Sequence, residues 1–330
     1  MIHRIDRWLT ELPPPSDPDP AGAAAVQELF GGRFGEMSTF MNYTMQSFNF
    51  RNRAGARPFY ELVANIAAEE FGHIELVSAT INTMLTGASP AESRPDPSST
   101  PLGGLKDVWK NPHHWLDGGA ATQVQDSRGL PWTGDNVVNS GDLIGDLTWN
   151  YFLETGARNG KLRVYEMCDH PAARALTGYL LVRGGVHQVA YARALEKLTG
   201  SDLTRMFPAP RIPTDKIPEC RPHLEAGEHA KLYRFSPSDY HRIAEVFNGP
   251  HPETGDELQV VDDDPSTRPP AQDLPAQTAV FAPSWAPEEI EEIAAKLRKA
   301  AGLGKKPAGT VANNGSNGAG KASKKKAAKR

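Results

Sequence analysis

The sequence predicts an all-α protein built on a four-helix bundle, and three observations carry that prediction. Four segments of about 30 residues show apolar residues at helical spacing. They fall into two pairs, separated by one long, turn-rich stretch at residues 88–137. Residues suited to helix starts and stops, Pro58 and Gly87, then Pro171 and Gly200, bound the segments. The first segment, about 22–52, places Leu29, Phe30, Phe34, Met37, Met41, Met45 and Phe48 near one helical face. The second, about 57–86, begins with Pro58 in the first turn, where a missing N–H costs nothing, and Gly87 suits its stop. The third spans about 139–168 and carries Trp149, Phe152, Leu162, Val164 and Tyr165. The fourth opens with Asp169 as a cap and Pro171 in the first turn, and ends near Gly200.

Two helical hairpins joined by a crossover running the length of the bundle is ferritin-like connectivity. Residues 1–200 are therefore expected to form a ferritin-like bundle domain. From 201 to 302 prolines and acids recur, as in FPAPRIPTDKIPE and DELQVVDDDPSTRPP, and predict an irregular arm over the bundle or a neighbouring subunit. A short helix is expected at about 287–301 within it. Residues 303–330 read as a disordered Lys-rich tail.

Charge separates the tail from the rest. The chain has 330 residues and a net charge of −4. Seven Lys and one Arg with no acid in residues 301–330 leave −12 on residues 1–300. The run KASKKKAAKR can solubilise or touch nucleic acid. Two cysteines, Cys168 and Cys220, speak against a disulfide framework and against a thiolate metal site. With no signal peptide and no apolar run of membrane length, a cytoplasmic protein is expected.

The chemistry lies in buried polar residues at helical spacing. Glu70 and His73, in AEEFGHIE, are three apart, so both project from one face within reach of one metal ion. They sit among Leu62, Ile66, Phe71 and Ile74, and of Glu69 and Glu70 at least one must point inward. A buried carboxylate is costly unless it is paired or bound to metal. Glu36 in GGRFGEMSTFM, Glu154 in NYFLETGARNGK and His187 in LLVRGGVHQVAY bring one donor from each remaining helix. Dinuclear carboxylate bundles place one Glu on two helices and Glu-x-x-His on the other two. Here the position three before the second His is Gly184, which leaves three carboxylates and two imidazoles. Fewer anions suit a metal pair cycling between +2 and +3, and oxygen with imidazole fits Mn or Fe. The missing side chain leaves room for a small ligand, and Gly185 is expected to serve close helix packing.

With these residues in order, the sequence resembles the manganese catalases, non-haem dimanganese enzymes of the ferritin-like superfamily. The matching pieces are GGRFGE around Glu36, EEFGH at 69–73, ETGAR at 154–158 and RGGVHQ at 183–188, spread over residues 20–200. The resemblance implies two Mn ions per subunit, bridged by Glu70. Glu36 and His73 would complete one ion, and Glu154 and His187 the other. It implies disproportionation of hydrogen peroxide to water and dioxygen, and a homo-oligomer, commonly a hexamer. Lys161, seven residues after Glu154, and Tyr43, seven after Glu36, would hydrogen-bond ligand carboxylates and manage protons. One branch of the family carries Arg before the third-helix Glu and Glu three before the final His. Leu153 and Gly184 stand there, so no arginine gate is expected.

Two rivals share the bundle: a di-iron or Fe/Mn oxidase, and a metal-storage or DNA-protecting protein using the basic tail. His113 and His114, the group Glu225, Glu228 and His229, and the run Asp262, Asp263, Asp264 lie in polar, turn-rich sequence and are expected at the surface. GGRFGEM lacks the strand before it and the Lys-Ser/Thr after it that a phosphate loop needs.

Overall fold

A computed structural model describes residues 5–86, 112–206, 212–236, 238–274 and 287–302. The described residues up to 274 belong to one compact unit, and residues 287–302 to a second.

The first predicted helix is two helices: α1, Pro20–Gly31, and α2, Glu36–Phe48. The glycines of GGRFG cause the break. Gly32 and Gly35 both take extended backbone, at φ −66, ψ 168 and φ −80, ψ 169. A Cβ on Gly35 would lie 2.8 Å from three carbonyl oxygens of the last turn of α1, so the chain turns where only glycine fits. The break makes Glu36 the first residue of α2, where free backbone N–H groups and the helix dipole favour a carboxylate. Helix α3 follows at Arg57–Thr86.

In the crossover, residues 87–111 lie outside the described residues. The remainder contains the short helix α4, His113–Leu116, and then lies along α1 and α2. Gln27 Nε2 donates to the carbonyls of Gln123 and Gln125, and Asn42 accepts from the Val138 N–H while donating to the Asn136 carbonyl. Long buried amides thus stand in for missing ladder partners. Helix α5, Leu143–Met167, starts four residues later than expected, because Asp142 caps it by accepting from the Gly145 N–H. Helix α6 is Pro171–Thr199. Its cap is His170 rather than Asp169: the imidazole accepts from the Ala172 N–H, and Asp169 is exposed. Gly200 closes α6 at φ +75, its N–H bonded to the Glu196 carbonyl.

After α7, Leu203–Met206, the arm lies on the bundle of its own chain. It holds α8, Arg221–Glu225, and a two-stranded parallel sheet that the sequence reading did not anticipate. Strand β1, Lys231–Arg234, pairs with β2, Gln259–Asp262, in the register Lys231↔Gln259 to Arg234↔Asp262. Leu232, Ile243, Val246, Phe247 and Leu258 from the arm join the apolar cluster of Leu62, Ile66, Val186 and Tyr191. Asn65 fastens the arm by donating to the Tyr233 carbonyl and accepting from the Phe235 N–H. The second unit contains α9, Pro287–Ala300. The Lys-rich tail at 303–330 lies outside the described residues.

The core positions the site. On α3, residues 62–67 belong to one apolar cluster and residues 76–85 to another. On α6, residues 186–195 belong to the first, and Leu176, Tyr179 and Leu180 to the second. Between the two lies a buried polar layer containing Glu69, Glu70, His73, Arg183 and His187. Among the described residues, no helix is long and apolar enough to cross a membrane. The fold is an all-α, ferritin-like bundle.

Candidate metal centre

Four helices converge on the polar layer. Helix α2 brings Glu36, α3 brings Glu70 and His73, α5 brings Glu154, and α6 brings His187; none of these is more than 1% exposed. They form two triads of potential ligand atoms, Glu36–Glu70–His73 and Glu70–Glu154–His187, each with its donors within 4.8 Å of one another. Glu70 belongs to both. Its Oε2 lies 3.2 Å from His73 Nδ1, and its Oε1 lies 2.7 Å from His187 Nδ1. His73 Nδ1 is also 3.6 Å from Glu36 Oε2, and His187 Nδ1 is 3.5 Å from Glu154 Oε1. The imidazoles stack at 5.6 Å between ring centroids, inclined by 26°.

The ring nitrogens divide by role. Both Nδ1 atoms face the three carboxylates, while both Nε2 atoms face Glu69, at 3.7 Å from His73 and 3.2 Å from His187. Glu69 is fully buried, and Arg183 grips it bidentately through Nε at 2.6 Å and Nη2 at 3.0 Å. Arg183 is itself tied to the carbonyls of Glu228 and Lys231 in the arm. Glu69 and Arg183 therefore sit behind the histidines and select the orientation that leaves Nδ1 free as a ligand. Sequence reasoning left Glu69 without a role and missed Arg183. The available signals were a second adjacent glutamate and a cation inside an apolar helix. Neither reveals its partner without the fold.

Lys161 and Tyr43 reach crosswise. Lys161 Nζ lies 2.8 Å from Glu36 Oε1, although Lys161 shares a helix with Glu154. The Tyr43 hydroxyl donates to Glu154 Oε1 at 2.6 Å, although Tyr43 shares a helix with Glu36. Thr39 Oγ1 sits between two acids, 2.9 Å from Glu70 Oε2 and 3.4 Å from Glu36 Oε2.

Electrostatics favour added cations here. Burial raises the Glu36 carboxyl, but the Lys161 ammonium and His73 outweigh it and hold it well below the usual carboxylate range. Burial pushes His73 down, yet the surrounding Glu70, Glu36 and Glu69 drive it up to about 10. His187 is driven well above its ordinary value, with burial opposed chiefly by Glu69 and Glu154. Among the described residues, the four buried carboxylates Glu36, Glu69, Glu70 and Glu154 outnumber the fixed cations buried with them, Lys161, Arg183 and, beside Glu154, Arg158. Glu36 Oε1, His73 Nε2, Glu154 Oε2 and both His187 nitrogens lack an aligned hydrogen bond. A donor set of oxygen and imidazole nitrogen with this anionic excess fits divalent Mn or Fe. Buried charge left uncompensated would be strongly destabilising.

Gly184 opens the layer on one side. A Cβ there would lie 3.5 Å from Glu154 Oε2, 3.6 Å from Lys161 Nζ and 3.2 Å from Arg158 Cγ. A larger side chain would intrude on those groups. Gly185 is covered by a side chain and not by close helix backbones: Arg158 Nη2, Cζ and Nε lie 3.5, 3.6 and 3.8 Å from its would-be Cβ.

The remaining candidates stand apart. His113 is exposed and paired with Asp117 at 2.6 Å. His114, expected at the surface, is buried at 1% exposure: the loop turns back over it, and its Nδ1 lies 3.2 Å from the Ala121 carbonyl. Glu225 is exposed, Glu228 pairs with His223, and His229 pairs with Asp256. Arg234 takes Asp262, Arg268 takes Asp263, and Asp264 caps the turn at Ser266.

The chain is similar to known proteins. The family model described as "Manganese containing catalase" matches residues 1–303. A manganese catalase of Bacillus subtilis is 32% identical over 188 residues, 57% of this chain and 67% of that protein. One from Lactiplantibacillus plantarum is 30% identical over 187 residues, 56% of this chain and 67% of that protein. The crystal structure of KatB, a manganese catalase from Anabaena, covers 72% of this chain and 93% of its own at 23% identity and a TM-score of 0.49. With the family model spanning nearly the whole sequence, the chain belongs to the manganese catalase family.

Proposed function

We propose that this protein disproportionates hydrogen peroxide to water and dioxygen at a pair of manganese ions. The observation that carries the reading is the pair of buried carboxylate–imidazole triads sharing Glu70. Glu70 would span both ions. Glu36 and His73 Nδ1 would complete one, and Glu154 and His187 Nδ1 the other. Manganese bound there supplies a two-electron store, each ion alternating between +2 and +3.

The protein's own groups handle orientation and protons. One peroxide gives up two electrons and two protons and leaves as O₂. The next takes up both and leaves as two waters. Lys161 keeps Glu36 ionised throughout, because the ammonium 2.8 Å away favours its anion. Tyr43 occupies Glu154 Oε1 and leaves Oε2, the oxygen facing Gly184, free to take one of the two protons from peroxide and return it in the next half-cycle, the other passing to bulk solvent and returning from it. Apolar clusters on both sides of the layer restrict access to small molecules and keep the local dielectric low. The family's hexameric assembly is part of the same proposal; Phe48 and Met167, 68% and 70% exposed, are apolar surface that packing against further copies would cover.

The test is oxygen evolution from peroxide by purified protein without haem absorption, paired with elemental analysis. About two Mn per chain with rapid oxygen release is the expected result. Two Fe per chain with no oxygen release overturns the reading and favours an iron oxidase or a storage protein. Sedimentation of the same sample reads the oligomer.

A further inference from the structure

Arg158 is a buried cation for which no ion pair among the described residues accounts. It leaves α5 one turn after Glu154, so it projects from the same face. Its stem crosses Gly184 and its guanidinium lies over Gly185, the two adjacent glycines of α6 forming a bare shelf beneath it. Gln188 orients the head: Arg158 Nη1 donates to Gln188 Oε1 at 2.7 Å, and Gln188 Nε2 donates to Thr155 Oγ1 at 2.6 Å. Arg158 is only 9% exposed, and its Nε–H is buried without a hydrogen-bond partner.

Arg183 shows what a structural arginine looks like in the same helical layer. It is bidentate to Glu69, with its remaining N–H groups on backbone carbonyls. Arg158 has no carboxylate within ion-pair distance among the described residues. Instead two acids act on it from further away. They are exposed Glu253 of the arm and Glu154, whose Oε2 is open. A guanidinium does not give up its proton near neutral pH, so it is a permanent charge and a fixed fork of donors. Buried without a counterion, such a group is costly unless an anion joins it.

We propose that Arg158, held by Gln188 on the Gly184–Gly185 shelf, is a positioning residue that binds small anions, hydroperoxide among them, beside the Glu154 side of the cluster. This rests on the peroxide reading above for its biological ligand, and on the geometry alone for anion binding. Two glycines in mid-helix cost about 1 kcal/mol each relative to alanine, and the position of the guanidinium gives both a purpose. A hydroperoxide anion beside Glu154 would be stabilised by the Arg158 fork.

The probe is azide, titrated into manganese-loaded protein by calorimetry and by the optical change of the cluster. Arg158→Gln is expected to keep its manganese and its melting temperature, to weaken azide binding tenfold or more, and to raise KM for peroxide more than it lowers kcat. Arg158→Lys, which keeps the charge without the fork, should recover part of the affinity. Gln188→Met, which removes only the orienting partner, should weaken azide by a few fold. Azide affinity unchanged in a manganese-replete Arg158→Gln protein overturns the proposal. So does loss of manganese from Arg158→Gln together with unchanged azide affinity in Gln188→Met. Wild-type protein that holds two Mn and binds azide through Arg158 but releases no oxygen would sink the catalase reading and leave this one standing.

Discussion

The Glu36 and Glu154 halves of the cluster use the same parts, one carboxylate and one imidazole each around a shared Glu70, but they neutralise their charge differently. On the first half, Glu36 sits at the start of α2 and is held by the Lys161 ammonium. On the second, Glu154 is held by a neutral phenol on one oxygen and is open on the other, beside the bare backbone of Gly184. The difference is physical: an ion pair in a low dielectric holds Glu36 as its anion, whereas a single phenol hydrogen bond leaves Glu154 Oε2 without a donor.

Removing what the halves share should have the largest effect. Glu70→Ala is expected to drop bound manganese from about two per chain to near zero and abolish oxygen release; elemental analysis retaining one full equivalent would mean that the halves are independent. Next comes Glu69, which backs both histidines. Glu69→Ala leaves Arg183 buried and unpaired, so stability should fall by about 3–5 kcal/mol in denaturant unfolding, and both metal positions should weaken together.

The halves should then separate. Lys161→Met removes a buried charge partner from Glu36 and is expected to weaken manganese binding about 10–100-fold. Tyr43→Phe removes one hydrogen bond from Glu154 and should cost about 0.5–1.5 kcal/mol, a few fold in affinity. Equal losses in competition with a metallochromic chelator would refute the asymmetry.

The smallest effect lies at the solvent edge of the Glu154 half. His251, in the arm loop that carries Glu253, accepts the N–H groups of Glu253 and Thr254 through Nδ1. Burial, then the neighbouring His229, pushes its pKa from 6.5 down to about 4. The unfolded chain thus binds a proton more readily than the folded one, and this contribution to stability is lost as pH falls from about 6.5 through 4. The melting temperature should fall across that window by a few degrees more in wild type than in His251→Asn. Parallel curves would show that the loop does not sense protons.

Much of the centre was readable in one dimension because helices are local. Glu70 and His73 share a face by spacing alone, and Glu36, Glu154 and His187 stood out as polar residues in apolar helices. Where the reading failed, the interaction was not local. The break in the first helix depended on carbonyls of α1 packing against Gly35, which composition does not reveal. The burial of His114 depended on the crossover folding back over it. The β1–β2 pairing joins residues nearly 30 apart through short segments of weak strand signal.

The sequence by itself determined the all-α bundle, the order of its main helices and the carboxylates and imidazoles proposed to face the metals, since hydrophobic periodicity and the cost of buried charge both act along single helices. Only the tertiary structure decided the pairings: Lys161 with Glu36, Tyr43 with Glu154, Glu69 with Arg183, and Arg158 on the shelf of Gly184 and Gly185. Those contacts span helices, and their partners are chosen by reach and direction across the core, quantities that exist only once the helices have packed.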